Sequence, residues 1–548
     1  MPSLIPPGGR RRRSICCIVF LVLVFVGTAY YPSASPYLPQ IPDYYRMLSD
    51  SHAQYVGGET DGSTSSTSDE DPDFPLDSAP DNDNVLCEPD DCVQGSWVPR
   101  DPPLRSLDDF RKKYPASHRG IFKICGSDEE KREPEDHDRF HKAQEERLVR
   151  TMNWVWKPIK GRMREWDAIE FVVRLLKSPG GIIFSGDSIT RQHFQWLEYA
   201  LARADIYITE DPPHLPSYSH KRLHQFVLRP GDPMTAYLQD RAGVPDSRLR
   251  RPIYVKIDNH ILIGEKEVRQ FSAPLGAKEG FPWYNIFDYF EDWEIFVRDA
   301  AKARDGEENV TEDTVLVLNT GPHWSRGAWY MLPNTGDVPE QQSRVTMAFK
   351  KMIELITSRL DPTPQLSIYY RATAPGHPAC PSSTFYNTFL VNSTIVSPPS
   401  DNKTESKRFI DKPTFYTDPH PNVSIARLAM SDIRQGLEAS TIDSQQKVVR
   451  SRWDWDRLEV HNAEWKQAID DLIAGQKTPE RRDNSKRAKW YYMDIWDMAL
   501  QRPDAHTQNL VDPKHENYDC LHWCVPGVVE QWTEYLNHLI FWDANGRS

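Results

Sequence analysis

Apolar residues fall in short unbroken blocks along much of this chain, each closed by glycine or a polar residue, with longer stretches of helical spacing between them. The block at 182–184, Ile-Ile-Phe, is bounded by glycines and predicts a central strand buried on both faces. Beyond it Ile189, Phe194, Leu197, Ala200 and Leu201 share one helical face, so a tight turn leads into a helix. Further strands are predicted at 253–257, 260–263, 315–318, 366–370 and 490–495. Helices are predicted at 284–303, 344–360 and 465–473; in the second, Val345, Phe349, Met352, Ile353 and Ile356 lie on one side. Alternation of strands and helices predicts an α/β fold, a mostly parallel sheet with helices on both faces.

The first 86 residues break this pattern. Arg10 to Arg13 precede an uncharged apolar run at 15–31, which spans about 25 Å as a helix, enough for a thin bilayer. This predicts a cytoplasmic tail over 1–14 and a single transmembrane signal anchor over 15–31, with the arginines on the cytoplasmic side. A cleaved signal peptide is the rival, since Gly27-Thr28-Ala29 offers small residues for cleavage. The acidic, Pro- and Ser-rich stretch at 32–86 buries no core and reads as a disordered stem, which favours the anchor. Residues 87–548 are then a luminal domain of the secretory pathway.

Composition narrows the picture. The 548 residues carry a net charge of −13, which suggests no nucleic-acid partner. Of eight cysteines, Cys16 and Cys17 lie in the apolar run. Cys87, Cys92, Cys125, Cys380, Cys520 and Cys524 remain, enough for up to three disulfides in an oxidising compartment, with the pairing open. Cys520-Leu521-His522-Trp523-Cys524 lacks a second ligand pair, so no metal site is expected. Glycosylation sequons stand at Asn309, Asn392, Asn402 and Asn422; the last three fall in a Pro-, Ser- and Asn-rich stretch expected to be an exposed excursion.

Candidate chemistry sits where apolar blocks end. Ser188, Asn319 and His377 each follow a predicted strand, at the edge where open α/β sheets bind ligands. Ser188 also opens the predicted helix, so its backbone N–H is one of the unpaired donors suited to an oxyanion. A plain serine N-cap is the bland alternative. A serine nucleophile needs a base, and the base needs an orienting acceptor. Asp519 and His522, three apart near the carboxyl end, supply both types between Cys520 and Cys524, in what reads as a stapled loop. Asp187 is expected to hold the turn. His323 and His377 are expected to be structural or to touch substrate, and Asp504 and His506 to form a structural hydrogen bond.

Together these motifs resemble the SGNH/GDSL esterase superfamily, and most closely its PC-esterase branch, the trichome-birefringence-like polysaccharide O-acetyltransferases. Gly186-Asp187-Ser188-Ile189-Thr190-Arg191-Gln192-His193-Phe194 is similar to the family's Gly-Asp-Ser-Leu-Ser-Arg-Asn-Gln-Trp. Asp519-Cys520-Leu521-His522-Trp523-Cys524-Val525-Pro526-Gly527 resembles its Asp-Cys-x-His-Trp-Cys-Leu-Pro-Gly. Asn319-Thr320-Gly321-Pro322-His323-Trp324 resembles Asn-Thr-Gly-His-Trp-Trp with one residue inserted. Cys92 to Val98, Asn153 to Pro158 and Arg502 to His506 match three further blocks in the family's order. His193-Phe194 departs from the usual Gln-Trp, and the stretch between Cys380 and Asp494 is longer than usual.

The resemblance implies an SGNH-like three-layer α/β/α sandwich and a triad: Ser188 as nucleophile, His522 as general base and acid, Asp519 orienting the imidazole. It also implies an oxyanion site from the Ser188 N–H, a glycine N–H, with Gly321 and Gly186 as candidates, and the Asn319 side chain. Arg191 is expected to fix the turn or to contact substrate. The implied activity is O-acyl transfer, most naturally acetyl, onto a glycan hydroxyl in the Golgi. The acyl donor is acetyl-CoA or another acetyl carrier, and no tightly bound cofactor is expected. A glycan O-acetyl esterase using the same triad and a non-catalytic glycan-binding protein are the alternatives.

Overall fold

A computed structural model describes residues 85–115, 148–218, 222–282, 289–377, 453–476, 486–508 and 518–544. Among them the strands are β1 (Gly95–Pro99), β2 (Trp154–Pro158), β3 (Ile182–Gly186), β4 (Ile208–Glu210), β5 (Leu223–Leu228), β6 (Tyr254–Asp258), β7 (Thr314–Leu318), β8 (Leu366–Arg371), β9 (Lys489–Met493), β10 (His506–Gln508) and β11 (Tyr518–Trp523). Seven form one sheet in the order β4-β5-β6-β3-β7-β8-β9. The glycine-bounded β3 lies inside it, parallel to β6 and β7, and β7, β8 and β9 continue in parallel. Within this sheet, among the described residues, only the β4–β5 and β5–β6 pairings are antiparallel.

Alternation along β3 explains why its three apolar residues are contiguous. Ile182 and Phe184 enter one core and Ile183 the other, because successive side chains point to opposite faces. The first core is closed by α1 (Ala168–Leu176), α2 (Ser188–Ala202) and α7 (Gly527–Ala544), through Phe171, Leu197 and Trp532. The second takes Val268 of α3 (Glu265–Ser272), Trp293 of α4 (Trp293–Ala300), Phe349 of α5 (Val338–Leu360) and Trp465 of α6 (Leu458–Gln476). Helices therefore cover both faces, as strand–helix alternation requires.

Several elements differ from expectation for local reasons. Residues 260–263 form a loop, not a strand: Asn259 Oδ1 accepts from the Leu262 N–H at 3.1 Å, and Leu262 sits at φ 63°. The helix expected over 284–303 is α4, which starts only at Trp293, after Asp292 at φ 60°; residues 283–288 lie outside the described residues. α5 begins earlier than its apolar stripe because Asp337 caps it and proline occupies its first turn. The segment read as a stapled loop around His522 is the strand β11, paired antiparallel with β10.

Among the described residues no helix is long and apolar enough to cross a membrane. The apolar run at 15–31 and nearly all of the stem lie outside them, as do Cys125, Cys380, Asn392, Asn402 and Asn422. Cys87 is bonded to Cys92, and Cys520 and Cys524 are both disulfide-bonded. Asn309 is exposed, its side-chain amide donating to the Gly243 carbonyl at 2.6 Å.

Candidate active site

The site is built where β3 hands over to α2. Gly186 ends the strand, and no other residue fits: a Cβ there would meet Thr190 Oγ1 at 2.4 Å and the Asn319 carbonyl oxygen at 2.7 Å. Asp187 is the N-cap, and its carboxylate accepts from the Ile189 and Thr190 N–H groups at 2.9 and 3.4 Å. The cap thus belongs to Asp187, which leaves the Ser188 hydroxyl for other work. That hydroxyl lies 2.7 Å from His522 Nε2, across 334 positions of sequence.

A bulge aims His522. In the β10–β11 pair His506 faces Trp523, but the next residue, Thr507, faces Asp519. Residues 520–522 loop out of the ladder between those partners, which turns a side chain away from its regular direction. Gln192, one helical turn after Ser188, clamps the far side of this bulge. Its side-chain amide donates to the Trp523 carbonyl at 2.7 Å and accepts from the Trp523 N–H at 2.9 Å. Ser188 and His522 are therefore braced by one helix. Asp519 lies on β11 three residues before His522.

The buried Asp187 is matched by a buried cation. Arg371, at the end of β8, is fully buried, donates to Thr190 Oγ1 at 3.1 Å and lies over the Trp532 ring at 5.0 Å. Burial lowers its pKa to about 10, while Asp187 pulls it the other way. Thr190 Oγ1 in turn donates to Asn319 Oδ1 at 3.3 Å.

This network changes the part Asn319 plays. Its side-chain amide donates to the Arg371 carbonyl at 2.9 Å and to Thr373 Oγ1 at 3.0 Å, so its hydrogens are spent inside the protein and not on an oxyanion. Gly321 is a packing residue: a Cβ would lie 2.2 Å from Thr373 Oγ1. Arg191 pairs with Asp258 at 3.2 Å, at the end of β6.

On another side of His522, His323 stacks face to face on His260, ring centroids 4.1 Å apart, with Trp453 edge-on at 6.1 Å. Burial holds His323 well below the usual histidine range, and His260 and His522 push it the same way. It is neutral at physiological pH and close enough to His522 to feel its charge. His377 and His506 are buried, His506 against the main chain of His522, and Asp504 forms an ion pair with Arg502, at 2.7 Å.

Sequence reasoning missed Gln192, Asn259 and His260. Asn259 follows β6 and donates its backbone N–H to the Gly186 carbonyl at 2.8 Å, so it is a polar residue at a strand end like the others. Reading 260–263 as a second strand hid that end. Gln192 lay in plain view, but its partner is far away in sequence.

Residues 440–539 match the model of the PC-Esterase family, described as a GDSL/SGNH-like acyl-esterase family found in Pmr5 and Cas1p. Xyloglucan O-acetyltransferase 1 of Populus trichocarpa is 33% identical over 64 residues, 10% of this chain and 15% of the relative. Protein trichome birefringence-like 20 of Arabidopsis thaliana is 26% identical over 83 residues, 14% of this chain and 16% of the relative. Probable xylan O-acetyltransferase 9 of Oryza sativa subsp. japonica is 33% identical over 63 residues, 9% and 14% respectively. The chain thus spans about a seventh of the length of the curated relatives it matches. Over residues 440–539, the segment that carries His522, the chain is therefore similar to the PC-esterase family.

Proposed function

We propose that this protein is a polysaccharide O-acetyltransferase working through an acyl-serine intermediate. The observation that carries the reading is the 2.7 Å contact between His522 Nε2 and Ser188 Oγ at the carboxyl edge of a parallel sheet. In the first half-reaction Ser188 Oγ attacks the acetyl carbonyl of the donor while His522 takes the hydroxyl proton. His522 returns that proton to the departing donor group. In the second, a sugar hydroxyl attacks the acetyl-serine carbonyl, His522 takes the sugar's proton, and the proton passes to Ser188 Oγ as the C–O bond to serine breaks. Asp519, on the same strand, orients the imidazole. The Ser188 backbone N–H, which the Asp187 cap does not claim, is the first oxyanion donor. The names of the relatives favour transfer to a polysaccharide such as xylan or xyloglucan over hydrolysis. On the same reading the apolar run at 15–31 anchors the enzyme in a secretory-pathway membrane, that of the Golgi.

Intact-mass analysis tests this. The chain is incubated with a small acetyl ester, with and without a xylan-type oligosaccharide. Acetylated sugar made by wild type and not by Ser188→Ala supports the transferase. Free acetate whose rate ignores added sugar supports an esterase. Absence of both turnover and an acetyl adduct on Ser188 rejects the reading.

A further inference from the structure

Behind the base two buried imidazoles meet. His377 Nδ1 lies 2.6 Å from His506 Nε2. The outer nitrogens face main-chain carbonyls: His377 Nε2 is 3.0 Å from the Leu500 oxygen, and His506 Nδ1 is 3.0 Å from the His522 oxygen. A carbonyl oxygen only accepts, so each outer nitrogen needs a hydrogen. A neutral imidazole has one hydrogen to give. Two neutral rings so arranged would set lone pair against lone pair at the 2.6 Å contact. Turning either ring to its other tautomer mends that contact but leaves a bare nitrogen facing a buried carbonyl. One extra proton satisfies all three contacts together.

We propose that His377 and His506 share one proton as a buried imidazole–imidazolium pair that fixes the main chain of His522, which makes both of them positioning residues for the base. The pair holds β11 at two points, since the His377 backbone N–H also donates to the Cys520 carbonyl at 2.9 Å. Trp523 offers an aromatic face to the charge: His506 stacks on it at 4.1 Å and His377 meets it edge-on at 6.0 Å. Burial opposes the charge, pushing His377 down to about 4, while the Leu500 carbonyl and the Asp504 carboxylate pull it up. The charge that acts on His377 is Asp504, itself paired with Arg502, and on β11 His522 lies next to His506. The short contact to His506 adds what burial takes away, because only a hydrogen can occupy it.

The test is made on the full chain labelled with 15N-histidine. Side-chain nitrogen spectra at pH 7.5 should show a coupled pair of rings carrying three hydrogens between them, and His377→Gln should abolish it. Two neutral rings with ordinary tautomer shifts would overturn the shared proton. This readout needs no turnover, so it stands apart from the acyl-transfer reading. The effect on the base does rest on that reading. His506→Phe should lower kcat by up to about 100-fold with KM unchanged, as expected when a reacting group is displaced by about 1 Å. His506→Asn keeps an N–H for the His522 carbonyl and should recover most of the loss. Wild-type kcat in a folded His506→Phe would overturn the positioning role.

Discussion

His193 is the residue at which this chain departs most plainly from the motif it resembles. It is fully buried in α2, between the rings of Phe184 at 5.2 Å and Trp532 at 6.0 Å. Among the described residues neither ring nitrogen has a hydrogen-bond partner. Burial, and then the nearby Arg371, hold its pKa well below 6.5, so it is neutral in the folded protein. Leaving a polar group buried and unpaired costs about 1–3 kcal/mol. His193→Leu is therefore expected to stabilise the protein by about 1–2 kcal/mol at pH 7.5. The sign of the pH effect follows. Below 6.5 the unfolded chain binds a proton at this position that the native state refuses, so wild type loses stability as pH falls. The advantage of the leucine variant should widen by up to about 1.4 kcal/mol per pH unit. Denaturant midpoints at pH 7.5 and 5.5 measure this; an advantage equal at both would mean that the native ring takes up the proton as well. Arg371 gives the opposite case. Its removal in Arg371→Leu strands the buried Asp187 carboxylate without a countercharge, and a loss of about 3 kcal/mol is expected in the same assay.

At the scale of elements, the site is two pieces of secondary structure braced against each other. α2 presents Ser188 and, one turn on, the Gln192 amide that grips both main-chain groups of Trp523. Gln192→Ala leaves that N–H and C=O buried and unpaired. A loss of about 2 kcal/mol is expected, together with a kcat lower by about 10- to 100-fold as His522 drifts from Ser188. Transfer kinetics beside a denaturation curve separate the two effects, and an unchanged kcat in a destabilised variant would show that the bulge aims His522 without help. The same elements show what the sequence made legible. β3, β7 and β8 and the faces of α2 and α5 were readable, because burial on both sides or on one stripe writes a short-range pattern. Ser188 was readable because a strand end and a helix start are both local. The bulge in β11, the loop after Asn259 and the Gln192 clamp were not. Each depends on the register of a paired strand, on a partner hundreds of positions away, or on a single left-handed residue. Asn319 was found at the right strand end, yet its hydrogens turned out to serve Arg371 and Thr373, which no spacing rule could indicate.

At the scale of the molecule, the carboxyl edge of the sheet is made by segments spread from β3 to β11, and α7 ties them together from beneath. Trp532 of α7 is the meeting point. Its ring packs against His193 of α2, against Trp523 of β11 at 6.0 Å, and under Arg371 at the end of β8. It is fully buried, so Trp532→Ala should cost about 3–5 kcal/mol through lost packing and the cavity left behind. A local role would end there. Because the ring touches all three segments that build the site, kcat should fall as well under conditions where the variant is still folded, and Trp532→Phe should recover part of both losses. Denaturation and transfer kinetics on the same preparations decide between the two outcomes. Lost stability with wild-type kcat would mean that α2 and β11 hold Ser188 and His522 in register by themselves, with Gln192 as the sufficient brace. Parallel loss of both would mean that the geometry of the edge is set by the core beneath it.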